Sequence, residues 1–415
     1  MRPLILLLSL AACTQNDRSM DTEARYSEPG SEYYEPGSDY EPAAEPSSDT
    51  WDDSESSDLD SEGEESGEEE EIEAGTLTAG EWNDIQNWDF WLDLIDNPES
   101  DYYQYPQEWG FFPNQRVQFT LFDGDIPAID TELHMFDSNG NVVWKSRTNN
   151  HGVAQLFPTF FEENSGPFSI YIETQDGRLE YSENFVLPVN KSLAMEIEAL
   201  PTEKIVDLMF VVDTTGSMCD ELVYLQTEMA AVINESQSLF DNNTQLRTSV
   251  NFYRDHGDDY VTRSYPFSEN INTVVDQIQE QDCDGGGDFP EAVAEALNDA
   301  IVGHEWSASA QARILFLVLD APPHEDSQSL QTIRTAIETA AEKGIQIIPI
   351  ASSGIDKNTE FFLRSIDIAT NGTYVFLTDH SGIGESHLKA SVGEFEVRPL
   401  NDLMVDLIVG ASITE

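Results

Sequence analysis

Two stretches in the second half of the chain, Val206–Val212 and Ile314–Leu319, are apolar almost throughout. Runs of this length with no polar alternation predict strands covered on both faces, hence a parallel sheet. The same half predicts strands over Ile205–Val212, Leu246–Tyr253, Arg313–Leu319, Ile345–Ala351 and Thr373–Leu377. Helical periodicity falls between and after them, at about Ser217–Leu239, Pro290–Val302, Leu330–Lys343, Thr359–Ile368 and Val397–Ile408. Alternating strands and helices predict a doubly wound, Rossmann-like α/β domain over 204–415. In such sheets ligands bind outside the carboxyl ends of the strands. Both apolar runs end there in an aspartate, Asp213 and Asp320.

Upstream the period changes to two. Val117-Gln118-Phe119-Thr120-Leu121-Phe122, Glu132–Phe136 and Phe168–Ile172 alternate. Turn signals separate them at Asp123-Gly124, Asn139-Gly140 and Asp176-Gly177. Short strands at this spacing predict an all-β sandwich over 116–200. Its text around Gly124–Ala128, Asp137–Gly140 and Thr148–Ala154 loosely resembles immunoglobulin-like and carboxypeptidase-regulatory-like modules. Before it, residues 76–115 are rich in aromatics, from Trp82, Trp88 and Trp91 to Trp109 and Phe112. Such a segment is expected to pack on the sandwich, and a sugar-binding platform is the alternative.

Residues 14–75 have no periodicity. They are rich in Glu, Asp, Ser, Pro and Gly and poor in aliphatics, so they are expected to form a disordered acidic linker. About sixty such residues would reach about 40–45 Å as a random coil, and further under charge repulsion. At the start, Met1-Arg2 precedes the apolar core Leu4–Leu10, followed by Leu10-Ala11-Ala12-Cys13. This resembles the lipobox of bacterial lipoproteins, which makes 1–13 a signal peptide ending in the lipidation site Cys13. The resemblance implies an envelope protein anchored by lipid, in the outer membrane, the periplasm or at the surface. An ordinary secretory signal is the alternative.

Charge narrows the partners. With 19 basic and 80 acidic residues the formal net charge is −61. Phosphate recognition depends on Lys and Arg, so nucleic acid is excluded as a partner. Contact with a membrane is expected only through the lipid anchor.

The chemistry lies in three segments that the predicted topology brings to one sheet edge. The first is Asp213-Thr214-Thr215-Gly216-Ser217, which aims a carboxylate and two hydroxyls inward. An ordinary helix start, with Ser217 as N-cap, reads the same residues differently. The second is Asp284-Gly285-Gly286-Gly287-Asp288-Phe289-Pro290-Glu291, whose glycines suit close backbone approach to a ligand. A capped turn with Pro290 at the first helical position is the alternative. The third is Asp320-Ala321-Pro322-Pro323-His324.

In this order and spacing the three segments resemble the von Willebrand factor type A domain and its metal-ion-dependent adhesion site. The resemblance implies a divalent cation, Mg²⁺ before Mn²⁺ or Ca²⁺. Thr215 and Ser217 would bind it directly, and Asp213 and Asp320 through water. Asp288 would replace the threonine usual in the second loop. An open coordination position would then take an acidic group of a protein or other ligand. Asp255, in Tyr253-Arg254-Asp255-His256, is either an outer-shell acid or the partner of Arg254 or Arg263. Cys219 and Cys283 flank the converging loops, and a disulfide would pin them. His324, His380 and His387 are expected to cap or hydrogen-bond.

Signatures of nucleophilic, zinc-hydrolytic or phosphate-binding enzymes are absent from the sequence. A binding protein is therefore expected rather than an enzyme. A metal-independent envelope scaffold and a regulatory subunit of an enzyme remain as alternatives.

Overall fold

The computed structural model describes residues 72–413 except 163, 165 and 385. The candidate signal over 1–13 with Cys13, and the acidic stretch 14–75 apart from its last four residues, lie outside the described residues. Among the described residues no helix is long and apolar enough to cross a membrane.

The aromatic-rich segment supplies β1 (Thr78–Trp82), α1 (Trp88–Asp96) and α2 (Tyr105–Trp109). The alternating region then forms β2 (Arg116–Asp123), β3 (Ile126–Pro127), β4 (Glu132–Phe136), β5 (Val142–Arg147), β6 (Val153–Leu156), β7 (Ser169–Thr174), β8 (Gly177–Glu180) and β9 (Asn190–Glu196). These eight strands make two four-stranded sheets. One has the order β3-β2-β6 with β9 beside β2, and the other β5-β4-β7-β8. The period-two pattern places Val117, Phe119 and Leu121 of the first sheet inward with Leu133, Met135, Ile170 and Ile172 of the second, in one buried cluster. One pairing departs from antiparallel: β2 and β9 run parallel.

The remaining chain is β10 (Ile205–Asp213), α3 (Cys219–Leu239), β11 (Gln245–Tyr253), β12 (Thr262–Ser264), α4 (Ile271–Gln279), α5 (Val293–Val302), β13 (Ala312–Leu319), α6 (Ser327–Lys343), β14 (Ile345–Ala351), α7 (Lys357–Thr370), β15 (Tyr374–Leu377), β16 (Arg398–Pro399) and α8 (Leu400–Ser412). The five predicted strands form the parallel centre of an eight-stranded sheet, ordered β12-β11-β10-β13-β14-β15-β1-β16. Every residue of β13 is buried, as two-sided cover requires. The sheet is mixed at its margins: β12 lies antiparallel on β11, and β1 runs antiparallel to β15 and β16. Helix α4 was not among the predicted helices, although Ile271, Val274 and Ile278 make a buried stripe at helical spacing.

The aromatic-rich segment does not rest on the β region alone, contrary to expectation. Strand β1 extends the large sheet, and Trp91 stacks on Phe361 of α7 with ring centres 5.9 Å apart. Trp109 stacks on Phe362 at 4.9 Å. Buried Asp84 holds the buried Arg364 guanidinium through two bonds of 2.7 and 2.8 Å. Helix α7 carries Glu360, Arg364 and Asp367 among its apolar residues. Buried Glu360 and Arg364 need partners there, and the segment supplies Tyr102 to the first and Asp84 to the second. The regions drawn from the sequence at 76–115, 116–200 and 204–415 pack as one compact unit. Asp130 of the β region grips buried Arg313 of β13 at 2.8 and 3.1 Å.

Candidate functional site

Strands β11 and β10 lie on one side of a topological switch and β13 on the other, so the loops after β10 and β13 open side by side. This is where doubly wound sheets bind ligands. Backbone hydrogen bonds tie the glycine loop to both. Asp284 N–H donates to Thr214 O at 3.1 Å, and Gly216 N–H to Gly285 O at 3.3 Å. On the other side Glu291 N–H donates to Pro322 O at 2.9 Å, and Glu291 bridges Pro323 in parallel register. The Cys219–Cys283 disulfide, with Cα atoms 5.3 Å apart, fastens the first turn of α3 to the start of the glycine loop. That spacing is in the ordinary range for a disulfide.

The glycines allow close approach. Gly285 and Gly286 have φ of 84° and 72°, where a side chain is strained. A Cβ on Gly286 would sit 2.9 Å from Glu291 Oε1 and 3.4 Å from Thr215 Cβ. A Cβ on Gly285 would meet Asp258 Oδ2 at 2.3 Å. Only glycine lets the loop lie against both carboxylates.

Within this frame Asp213 and Thr215 are fully buried, Asp320 nearly so, and Ser217 is exposed at the opening. Thr215 donates from its backbone N–H and its hydroxyl to Asp213 Oδ1, at 2.9 and 2.7 Å. The Thr215 and Ser217 hydroxyls are 3.2 Å apart. Among the buried carboxylate oxygens without a hydrogen-bond partner are Asp213 Oδ2, Asp320 Oδ1 and Glu291 Oε2. Unpartnered buried carboxylate oxygens are costly and call for an explanation such as an ion. Burial pushes the Asp213 carboxyl up to about 6, against the hydrogen bonds from Thr215. Burial and the Asp213 charge push Asp320 up to about 7. Glu291 goes furthest, to about 9, through burial and the charges of Asp213, Asp255, Asp320 and Asp258. The donor set is all oxygen, two hydroxyls among mutually repelling acids, and it suits a hard divalent cation.

The structure brings Asp213, Thr215, Ser217 and Asp320 together as expected from the sequence. Asp288 is different: it is exposed, and the loop directs Glu291 inward instead, where it is only 3% exposed. The reason is local. Helix α5 starts at Val293 rather than at Pro290. Glu291 instead bridges Pro323, and the acid beside the proline is buried in the site. Glu221, in the first turn of α3, is a second buried acid near Asp320, and its charge raises that carboxyl. It accepts from Ser353 N–H at 3.1 Å. Neither expected partner holds Asp255. Arg254 pairs with Asp282, Arg263 bonds to Gln281, and Asp255 bonds to His324 at 2.7 Å. His387 bonds to Asp379 at 2.9 Å.

Residues 207–384 match the family model of the von Willebrand factor A domain. The match takes in β10 to β15 and all three site loops; β1, β16 and α8 fall outside it. Among curated proteins, one described as an ariadne-like RING finger protein of Acanthamoeba polyphaga mimivirus is 29% identical over 140 residues, 34% of this chain. The alpha-protein kinase vwkA of Dictyostelium discoideum is 22% identical over 210 residues, 50% of this chain. The matched regions span only 13% and 32% of those two proteins. Among solved structures, the conserved hypothetical protein BatB from Bacteroides thetaiotaomicron is 14% identical, with a TM-score of 0.35. That alignment covers 50% of this chain and 98% of that one.

Proposed function

We propose that the von Willebrand factor A domain binds an acidic group of a partner protein or other ligand through a divalent cation, Mg²⁺ before Mn²⁺ or Ca²⁺. The observation that carries this reading is the set of three unpartnered buried carboxylate oxygens around the Thr215 and Ser217 hydroxyls. Thr215 and Ser217 would hold the ion, with Asp213 and Asp320 behind them. Glu291, rather than Asp288, is the acid of the glycine loop. When bound, the ion supplies a positive centre at the mouth of a strongly acidic protein, where a partner carboxylate can complete the coordination. Phe289, 46% exposed on the same loop, offers an apolar contact at the rim. The chain acts as a binding protein, not an enzyme. It is held to a bacterial envelope by lipid on Cys13, with residues 14–75 as a spacer and the two smaller sheets as an immunoglobulin-like sandwich beside the binding domain.

Thermal unfolding with and without ions tests the core of this reading. Mg²⁺ or Mn²⁺ at a hundredfold excess over its Kd would stabilise the chain by about 2.7 kcal/mol by mass action. EDTA would remove the effect, and Asp213→Ala would abolish it. A wild-type chain whose unfolding ignores Mg²⁺, Mn²⁺ and Ca²⁺ would leave the metal-independent scaffold as the better account.

A further inference from the structure

Next to the oxygen-lined cleft lies a cluster of different chemistry. The loop after β11 carries Asp255 and His256, and the loop after β13 carries His324. The metal-binding atoms of the three side chains lie within 4.8 Å of one another. The two imidazoles stack, with ring centres 5.2 Å apart and planes 22° apart. Both face one carboxylate oxygen: Asp255 Oδ1 is 2.7 Å from His324 Nε2 and 3.9 Å from His256 Nδ1. A tetrahedral ion with bonds of about 2.0–2.1 Å sets its donors about 3.3 Å apart, between these two separations.

We propose that Asp255, His256 and His324 form a second metal site, for a borderline cation such as Zn²⁺. Imidazole nitrogen suits Zn²⁺, Cu²⁺ and Ni²⁺, whereas Mg²⁺ and Ca²⁺ prefer oxygen alone. The surroundings are those of a supported metal site. His256 presents Nδ1 to the cluster while its Nε2 lies 3.0 Å from Glu295 Oε1. A metal-bound histidine characteristically donates its other N–H to a carboxylate, which fixes the tautomer and orients the ring. Asp255 is held in turn by Asp258, whose Oδ2 accepts from the Asp255 N–H at 3.0 Å and from Gly286 N–H at 2.9 Å. The Asp255 side chain is 10% exposed and that of His256 50%, so an ion can enter from solvent onto an anchored carboxylate. To bind, His324 must free its Nε2: a neutral ring carries its proton on Nδ1 instead, an imidazolium ring sheds one proton to solvent, and the carboxylate and both neutral rings then take the metal. Three protein ligands leave a fourth position open.

This site does not depend on the cation site of the preceding section, and the two can fail separately. The experiment titrates Co²⁺ into the chelator-stripped, untagged full chain with Mg²⁺ in excess, follows visible absorption and proton release, and then adds Zn²⁺. Expected are Co²⁺ ligand-field bands that Zn²⁺ removes. They persist in Ser217→Ala, disappear in His256→Ala and in His324→Ala, and weaken at least tenfold in affinity in Glu295→Gln. Far-UV circular dichroism and an intact Mg²⁺ response in the histidine variants show that each still folds. The proposal is overturned if the wild-type chain gives no Zn²⁺-displaceable Co²⁺ spectrum, which leaves a plain histidine–carboxylate hydrogen bond. It is equally overturned if the spectrum survives in a folded His256→Ala/His324→Ala double variant.

Discussion

At the scale of single residues, the contrast between Asp288 and Glu291 is decisive. Both are acids of one loop, three positions apart, yet one faces solvent and the other lies against Thr215, separated from it by a glycine that has no room for a side chain. A carboxylate that is already hydrated has little to gain from an ion at the cleft. One that is buried beside Asp213 and Asp320 has much to gain, because the ion neutralises like charges that cannot escape into water. Glu291→Gln should therefore weaken Mg²⁺ affinity tenfold or more, about 1.4 kcal/mol. Asp288→Asn should leave it within about twofold, as expected of a solvent-screened charge. Isothermal titration of both variants checks this, and a larger loss in Asp288→Asn than in Glu291→Gln would return the loop to the assignment made from sequence.

At the scale of elements, the parallel centre of the large sheet and four of the site residues were legible in the sequence. Unbroken apolar runs have one structural solution, and their terminal aspartates must lie at the ligand edge. What was not legible depends on where a helix begins. Pro290 is as good a first helical residue as any, and only the backbone pairing of Glu291 with Pro323 delays α5 to Val293. Tertiary pairing overrides a local signal, and the buried acid of the loop is therefore Glu291 rather than Asp288. The stacking of His256 on His324 is not legible for a related reason: they belong to different loops, and no sequence spacing places them together. The loops themselves are held by backbone bonds and by the disulfide, whose cysteines are 64 residues apart. In the chain-entropy account, cross-linking a loop of that length stabilises by about 4 kcal/mol. Cys219→Ser/Cys283→Ser should lower the unfolding free energy measured in urea by that order. It should also weaken Mg²⁺ binding, because the glycine loop loses its anchor to α3. A double variant with unchanged Mg²⁺ affinity would show that the backbone bonds alone hold the cleft.

At the scale of the whole molecule, the match to a von Willebrand factor A domain ends before the elements that complete the fold. The family segment covers 207–384, but its sheet borrows β1 from residue 78 onward, and its helix α7 is covered by the aromatic segment. Every described residue of α7 from Thr359 to Thr370 is buried. Among them Arg364 donates twice to Asp84, and Glu360 accepts from Tyr102. Both partners come from the segment that precedes the β region. Cutting the chain at 204 would leave Phe361 and Phe362 facing water and would strip Arg364 of the Asp84 carboxylate, leaving it only Glu360 at 3.3 Å. It would also expose the unpaired edge of β15, which invites association with other chains. Losing one partner of a buried ion pair alone costs about 3–5 kcal/mol, comparable with the whole stability of many domains. Residues 204–413 produced alone should therefore aggregate or bind a hydrophobic dye, whereas residues 72–413 should be monodisperse and unfold in one transition. Size-exclusion chromatography with light scattering compares the two directly. A stable, monomeric 204–413 fragment would mean that the aromatic segment serves the β region after all, and that the binding domain stands without it.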